Sequence, residues 1–239
     1  MGKYRRQHQL FIAEGSTNVL DFIKSGTDIK GVYATESWTK TNAAQLNNTH
    51  CEVISMKEMG KISVLKNPSE VLGVFAIPDQ KEAELSGIND LVLMLDDIRD
   101  PGNLGTIIRT ADWFGIQHII CSENTVDAYN PKVVQASMGS LSRVQVTYQN
   151  LIDSMKSKPD YIKVFGAVLE GNDILEIAKP KHGIIVIGNE AHGISEELLQ
   201  MVYIPVTIPK TTSANLNATP ESLNASIATA IMCYEFRRK

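Results

Sequence analysis

Hydrophobic residues along the 239-residue chain follow two patterns, which meet at a polar stretch over residues 78–89. After that stretch, runs of apolar residues such as Ile184–Ile187 alternate with segments in which apolar residues recur every three or four positions. The first pattern is typical of strands buried on both faces, and the second is typical of helices that bury one face. Residues 89–239 are therefore predicted to form an α/β domain in which helices cover a parallel sheet.

The predicted elements of this domain alternate along the chain. Strands are predicted at Leu91–Asp96, His118–Cys121, Lys163–Val168, Gly183–Ile187 and Tyr203–Ile208. Helices are predicted at Leu104–Phe114, Pro131–Met138, Leu151–Lys156, Glu196–Met201 and Glu221–Phe236.

Residues 1–85 are predicted to form a second, smaller α/β domain. Its helix is predicted at Val19–Ser25, and its strands at Ile29–Ala34, near Cys51–Ser55 and at Leu72–Ile77. The stretch Pro78–Asn89 is polar and contains Pro and Gly, which is typical of a linker between domains.

The composition, with 43% hydrophobic and 21% charged residues, is usual for a soluble globular protein. No apolar run reaches the ~20 residues that span a bilayer, and no signal-peptide pattern follows the N-terminus. Three widely spaced cysteines suit reduced thiols, and no CxxC or HxxxH pair indicates a metal site. We therefore expect a soluble, cytoplasmic protein without a membrane segment or a metal.

The formal net charge of −4 argues against binding nucleic acid through overall charge. Residues 1–85 are neutral overall, so the acidic excess lies in the rest of the chain. RNA would have to contact local basic clusters, of which Lys3–Arg6 and Arg237–Lys239 are visible. Solvated tails are an equally good interpretation of both clusters.

A tight turn containing Pro and Gly follows the first strand of the larger domain and leads into a helix. Asn103 is predicted as the N-cap of this helix, and Gly115 as its C-terminal stop. Arg109 lies about 140° around the helix from Leu104, beside the buried stripe. Periodicity alone favours a surface arginine that pairs with Asp112 at i+3, and the alternative is an arginine that faces a cleft.

Two later segments form loops that follow buried strands, where open α/β sheets usually bind ligands. The loop Gly188–Gly193 precedes a helix whose predicted N-cap is Ser195. The last helix is predicted to begin at Pro220, which would place Ser222–Asn224 in its first turn among unpaired backbone amides. The absence of GxGxxG and GK[ST] motifs counts against dinucleotide and P-loop sites, so a generic nucleotide-dependent α/β enzyme ranks last among the alternatives.

In order and spacing, Asp100–Asp112, Ile187–Ser195 and Glu221–Ser226 resemble the motifs of the SpoU/TrmH family of RNA ribose 2′-O-methyltransferases. The resemblance covers Leu91–Phe236 and implies the SPOUT fold, a parallel-sheet α/β domain with a deep C-terminal trefoil knot. It also implies S-adenosylmethionine as cofactor, RNA as substrate and a homodimer with active sites at the subunit contact. Residues 1–85 resemble the ribosomal-protein-like RNA substrate-binding domain of some members, which favours ribosomal RNA over transfer RNA.

The resemblance further implies which residues form the site. The catalytic positions match Arg109, Asn103, Glu190, Ser222 and Asn224. The cofactor-binding positions match Leu169, Gly188, Asn189, Ile208, Pro209 and Leu223. The chain departs from the family at Ala191, where Gly is usual, and in the loop Lys210–Pro220, which is longer than is common.

In the family the arginine is proposed as the catalytic residue and has been pictured as a general base. Because a guanidinium has a pKa above ~12, we favour Arg109 as a cation that binds the adjacent phosphate and stabilises a developing alkoxide. Ser222 and Asn224 would then position the hydroxyl or take part in proton removal. Glu190 would orient Arg109 or contact RNA, or else be a solvated loop carboxylate.

The sequence leaves several points open. It does not decide which subunit supplies Arg109, which nucleotide is methylated, or whether a ribosomal assembly intermediate is the substrate. The alternatives to a ribosomal RNA methyltransferase are a transfer RNA methyltransferase and an RNA-binding assembly factor that has lost catalysis.

Overall fold

Two β-sheets form the framework of the molecule. The computed structural model of the protein describes residues 2–46, 49–79, 81–87, 89–210 and 221–238. The helices are α1 (Gly2–His8), α2 (Ser16–Lys24), α3 (Glu36–Asn42), α4 (Met56–Ile62), α5 (Pro101–Trp113), α6 (Pro131–Ser137), α7 (Leu151–Ser157), α8 (Glu196–Leu199) and α9 (Ala225–Arg237). The strands are β1 (Leu10–Glu14), β2 (Ile29–Ala34), β3 (Glu52–Val53), β4 (Val71–Ala76), β5 (Leu91–Leu95), β6 (His118–Cys121), β7 (Gln145–Tyr148), β8 (Val164–Asp173), β9 (Gly183–Ile187) and β10 (Ile204–Thr207).

The larger sheet has six parallel strands in the order β10-β8-β9-β5-β6-β7. This confirms the predicted α/β class and the parallel sheet. The smaller sheet has the order β1-β4-β2-β3 and is mixed, because β4 runs antiparallel to β1 and β2 while β3 runs parallel to β2. The trefoil knot stays a prediction, since residues 211–220 of the knot region lie outside the described part.

Helices cover both faces of the larger sheet. On one face, Leu93 of β5 joins a buried cluster with Leu104 and Ile107 of α5. On the other face, Met94 joins a second cluster with Leu198 of α8. Because alternate residues of β5 are buried on opposite faces, the continuous apolar runs of the sequence are explained.

The N-terminal part packs against the face that carries α5 and α6. Phe11 of β1 belongs to the same buried cluster as α5, and its ring centroid lies 4.8 Å from that of Tyr129. Arg5 of α1 pairs with Asp127 at 2.7 Å, so the basic cluster Lys3–Arg6 is partly neutralised. One continuous core therefore runs through both parts of the chain.

Helix α5 begins at Pro101, three residues earlier than predicted. Its N-cap is Asp100, whose Oδ1 accepts a hydrogen bond of 2.8 Å from the backbone N–H of Asn103. The prediction of Asn103 as the cap was wrong, because Pro101 fits the first helical position and needs no partner for a missing N–H. Gly115, with φ of 68°, follows the C-cap as predicted.

Helix α9 begins at Ala225 rather than in the predicted segment at 220–221. Asn224 is its N-cap, and its Oδ1 accepts from the backbone N–H groups of Ser226 at 2.9 Å and Ile227 at 3.4 Å. Ser222 and Leu223 therefore precede the helix, and their predicted place in its first turn was wrong. Pro220 lies outside the described residues.

Strands β8 and β10 pair with a shift in register. Pro205 pairs with Gly166, but the next residue, Val206, pairs with Asn172. Residues 167–171, here called the β8 bulge, are thus skipped by the partner strand. The bulge places Leu169 beside the end of β10, where the Oγ1 of Thr207 donates to the carbonyl oxygen of Leu169 at 2.9 Å.

Within the described ranges, none of the helices has the length and apolar character needed to cross a membrane. The same residues contain no group of three or more His, Cys, Asp or Glu side chains that could hold a metal ion.

Candidate active site at the carboxyl edge of the parallel sheet

Three predicted catalytic residues from three separate motifs meet at the carboxyl edge of the sheet. The Nδ2 of Asn103, in the first turn of α5, donates to Oε1 of Glu190, in the loop after β9. The Nδ2 of Asn224 donates to Oδ1 of Asn103 at 2.9 Å. Asn103 therefore joins a carboxylate to the cap of α9, and we call Asn103, Glu190 and Asn224 the motif network.

Arg109 is exposed on α5 and makes no hydrogen bond or ion pair with any residue that the structure describes. The expected pair with Asp112 is not formed, because Asp112 Oδ2 accepts from Nε and Nη2 of Arg143 at 2.9 and 2.8 Å. Glu190 accepts from Asn103, so its expected role in orienting Arg109 is not seen either. A guanidinium without a protein partner is well suited to bind an anionic ligand.

Arg143 is a site-associated residue that the sequence did not reveal. Its Nη1 also donates to Asp21 Oδ2 of α2 at 2.8 Å, so it links the N-terminal part to the helix that carries Arg109. The hydrogen bond with Asp112, and then the one with Asp21, raise the pKa of Arg143. Because its partners lie 31 and 122 residues away, no local spacing pattern could have indicated them.

The loop after β9 is held in place by the end of β5. Asp96, which is only 9% exposed, accepts from the backbone N–H of Ser195 at 2.8 Å through Oδ2. The carbonyl oxygen of Asp97 accepts from Nδ2 of Asn189 at 2.8 Å. Asp97 has a left-handed φ of 57°, and its own N–H donates to Oγ of Ser122 at 2.8 Å.

Neither aspartate was predicted as a site residue. The signal was present, since two carboxylates directly follow a buried strand in a parallel sheet. However, the Asp96 carboxylate and the backbone carbonyl of Asp97 bind another loop, 99 and 92 residues away, and the Asp97 carboxylate binds Arg99 at 2.9 Å.

Gly188 is required by the packing of this loop on itself. A Cβ at this position would collide with the backbone of Gly193 and Ile194. Asn189 and Gly193 exchange backbone hydrogen bonds of 2.9 and 2.8 Å, which closes the loop. Ala191 is exposed and has no positive φ, so the methyl group where the family usually has Gly causes no backbone strain.

The predicted cofactor positions lie in the β8 bulge, in the loops after β9 and β10, and just before α9. Leu169 and Leu223 expose 69% and 47% of their surfaces. Ile208 is partly buried against the core, and Pro209 is exposed. Exposed apolar side chains beside loop backbone fit a ligand such as S-adenosylmethionine, whose adenine needs apolar walls and backbone hydrogen-bond partners. Ser222 is exposed and makes no hydrogen bond within the described residues.

A polar network at the carboxyl edge of a parallel sheet defines a ligand-binding α/β protein of the open-sheet class. A model of the SpoU rRNA Methylase family matches residues 90–234, and a model of the MRM3-like substrate binding domain matches residues 1–73. The chain belongs to the SpoU rRNA methylase family. The predictions of the family, of an RNA methyltransferase and of S-adenosylmethionine as its cofactor are thereby confirmed.

Several proteins resemble the chain over almost its whole length. The 23S rRNA (guanosine(2553)-2'-O)-methyltransferase RlmP of Bacillus subtilis is 29% identical over 239 residues, which cover 98% of this chain and 91% of RlmP. A TrmH-family structure from Porphyromonas gingivalis is 35% identical with a TM-score of 0.85, covering 100% of this chain and 93% of the other. An AdoMet-bound rRNA methyltransferase structure from Sinorhizobium meliloti is 31% identical with a TM-score of 0.83, covering 100% and 90%.

Proposed function

We propose that the protein transfers a methyl group from S-adenosylmethionine to a ribose 2′-hydroxyl of ribosomal RNA. The observation that carries this proposal is the motif network, which brings Asn103, Glu190 and Asn224 together although 121 residues separate the first from the last. The printed activity of the Bacillus subtilis relative supports ribosomal RNA as the substrate class.

When bound, S-adenosylmethionine supplies an electrophilic methyl group on a sulfonium. Arg109 would bind a phosphate next to the target ribose and stabilise negative charge on the 2′-oxygen as its proton leaves. A guanidinium stays protonated near neutral pH, so Arg109 acts as a cation and not as a base.

We assign different roles to Asn224 and Ser222. The Oδ1 of Asn224 already accepts from the N–H and Oγ–H of Ser226, at 2.9 and 2.6 Å, and from Ile227 at 3.4 Å. Asn224 can therefore only donate to the substrate, through its remaining amide hydrogen. Ser222, without an internal partner among the described residues, is the group that can accept a hydrogen bond from the 2′-hydroxyl.

We infer that the β8 bulge and the loops after β9 and β10 hold the cofactor through Leu169, Gly188, Ile208 and Pro209, with Leu223 closing the site. Asn189 is also assigned to this group, but it acts by shaping the loop. Its Oδ1 accepts from the N–H groups of Ala191 and His192, at 2.8 and 3.3 Å, and its Nδ2 is bound to Asp97.

Two measurements test the proposed function. Calorimetry should show S-adenosylmethionine binding, and transfer of labelled methyl groups should occur to ribosomal RNA from cells that lack the protein. Arg109→Ala should abolish transfer while cofactor binding persists. Absence of cofactor binding would favour the inactive assembly factor, and preferential labelling of transfer RNA would favour the other alternative.

Arg109→Lys separates the two roles considered for the arginine. A charge-stabilising role predicts a large loss of rate that is similar at every pH between 6 and 10, because lysine keeps the charge but not the planar fork. Near-normal rates with a shifted pH profile would instead indicate a base.

We further propose a homodimer that uses the exposed face formed by α5 and α9. Trp113, four residues after Arg109, is 83% exposed, and Ile227 and Tyr234 of α9 are 51% and 52% exposed. Large exposed apolar side chains on adjoining helices are typical of interaction sites. Sedimentation should give a dimer, and Trp113→Glu should shift it to the monomer; a fully active wild-type monomer would contradict this proposal.

We also propose that residues 1–85 form a substrate-binding domain for RNA and that the protein works in the cytoplasm. The match of residues 1–73 to the MRM3-like substrate binding domain supports the first point. A crosslinking experiment with ribosomal RNA should give adducts in residues 1–85, and their absence would remove this assignment.

A further inference from the structure

The amino edge of the larger sheet, at the opposite end of its strands from the motif network, carries a row of aromatic and basic residues. Lys163, His182 and Tyr203 directly precede the adjacent strands β8, β9 and β10. The backbone N–H of Tyr203 donates to the carbonyl of Val164 at 3.1 Å, and that of Ile184 donates to the carbonyl of Lys163 at 2.9 Å. These bonds set the three residues side by side along the edge.

The side chains of this row contact one another and remain open to solvent. The Nζ of Lys163 lies 5.7 Å from the ring centroid of Tyr203, and the rings of Tyr161 and His182 lie 6.1 Å apart at 72°. Tyr161 and Tyr203 expose 57% and 68% of their surfaces. We call Tyr161, Lys163, Lys181, His182 and Tyr203 the amino-edge cluster.

The cluster carries a local positive charge on a chain that is acidic overall. Lys163 and Lys181 are exposed and form no ion pair among the described residues. Lys156 and Lys158 lie nearby in sequence and also form no ion pair within the described ranges. Between residues 156 and 163 the sequence has one acidic residue, Asp160. By contrast, the two arginines near the C-terminus are paired, Arg237 with Asp90 at 2.7 Å and Arg238 with Glu235 at 3.2 Å.

Exposed aromatic rings alternating with unpaired lysines match one kind of ligand. Single-stranded nucleic acid is bound by rings on which bases stack and by cations that follow the phosphates. Proteins recognise unpaired RNA bases in the same way. An acidic polypeptide would satisfy the lysines but would leave the rings without a stacking partner.

We propose that the amino-edge cluster binds an unpaired segment of RNA remote from the methylated nucleotide. The strands between the two edges have about five residues at roughly 3.3 Å each, so the cluster lies on the order of 17 Å from the carboxyl edge. A folded RNA can therefore contact both edges of one subunit. This proposal rests on the proposed function only in taking RNA as the substrate.

The direct test uses the full-length protein without cofactor and a fluorescein-labelled 12-nucleotide oligouridylate. Anisotropy should show that Lys163→Glu combined with Lys181→Glu raises Kd at least tenfold. The double variant should also reduce the magnitude of the slope of log association constant against log salt concentration by about 1.4, the value for two lost phosphate contacts. Lys132→Glu, at an exposed lysine on α6 outside the cluster, is the charge-matched control.

Tyr203→Ala tests stacking apart from charge. Loss of one base–ring contact should raise Kd on the order of tenfold, and Tyr203→Phe, which keeps the ring, should recover most of the loss. With 4-thiouridine in the oligonucleotide, crosslinks should map to Tyr161, His182 or Tyr203.

Three results would overturn the proposal. Crosslinks could be confined to other surfaces, or the Kd of the cluster variants could lie within twofold of that of Lys132→Glu. Polyglutamate could also displace the RNA at equal charge concentration, which would indicate that the ligand is an acidic polypeptide. Calorimetry with S-adenosylmethionine on the same variants keeps the two proposals separate. Normal cofactor binding with unchanged RNA crosslinks elsewhere would reject the cluster alone. Absence of cofactor binding would reject the proposed function, while the anisotropy measurements would still show whether the amino-edge cluster binds RNA.

Discussion

Asn224 performs two tasks that can be separated by mutation. Its Oδ1 caps α9, and its Nδ2 donates to Asn103. Asn224→Asp keeps a good cap but replaces the donor with a second acceptor facing Oδ1 of Asn103. We expect a melting temperature close to wild type and a loss of kcat/KM of about 10- to 100-fold in methyl-transfer assays.

Asn224→Ala is the companion variant, because it removes the cap as well. It should lose similar activity and, in addition, about 0.5–2 kcal/mol of stability. Full activity in Asn224→Asp would show that the donor to Asn103 is not needed.

Asp96 is expected to position the loop after β9, which is proposed to hold the cofactor, and not to contact the cofactor itself. Asp96→Ala leaves the N–H of Ser195 without its partner, so we expect KM for S-adenosylmethionine to rise about 5- to 100-fold with little change in kcat. Asp96→Asn keeps an acceptor oxygen and should recover most of the loss. Equal defects in both variants, or a fall in kcat alone, would contradict a positioning role.

The three thiols should differ sharply in reactivity. Burial raises the pKa of Cys233 to about 12 and that of Cys121 further still, so neither is a thiolate near neutral pH. Cys51 is only partly buried. Ellman's reagent at pH 8 should therefore label one thiol per native chain and three in guanidinium chloride; two or more fast-reacting native thiols would refute the buried placement.

At the scale of elements, we expect the contact of Arg143 with Asp112 on α5 to keep Asp112 from pairing with Arg109. Without Arg143, Asp112 is free to pair with Arg109 at i+3, a contact worth about 0.2–0.5 kcal/mol. Such a pair would form in more than half of the molecules, and Arg109 would then be unavailable to the RNA phosphate. We therefore expect Arg143→Gln to lower the methylation rate about two- to threefold at low salt.

Adding Asp112→Asn to Arg143→Gln should restore the rate, because the competing carboxylate is gone. Asp21→Ala is the matched control, since it removes only the contact with α2 and leaves Asp112 bound to Arg143. Failure of the double variant to recover would show that Arg143 acts through the fold alone.

The same helix shows which features can be predicted from sequence. Its apolar stripe was predicted because burial repeats with the helical period, and Leu104 and Ile107 are fully buried. Its start was misplaced because Asp100 and Asn103 are both good caps, and only the backbone geometry decides between them. Strand β7 was missed because four residues with two buried side chains carry too little periodicity.

The candidate site was predictable only where a residue belongs to a motif. Asn103, Glu190 and Asn224 were found in this way, and the hydrogen bonds among them show that the three motifs meet at one place. Arg143 and the amino-edge cluster were not found, because their partners come from distant segments whose proximity depends on strand order. The spacing of residues along the sequence does not predict the order of strands in the sheet.

At the scale of the whole molecule, the shared core predicts that the two parts unfold together. Phe11 is 2% exposed and lies between the N-terminal sheet and Tyr129. Phe11→Ala should cost about 3–5 kcal/mol and lower the single melting transition seen by calorimetry. Two transitions, with only one affected, would show that the parts are thermodynamically independent.

The β8 bulge also bears on how such a sheet can diversify. Since β10 resumes pairing at Asn172 after skipping five positions, residues 167–171 do not set the alignment of the strands. Extra residues there would reshape the wall beside Leu169 for little more than the entropy of a longer loop, roughly 0.6 kcal/mol for each doubling of its length. The chain thus has a place where ligand fit can evolve without disturbing its hydrophobic interior.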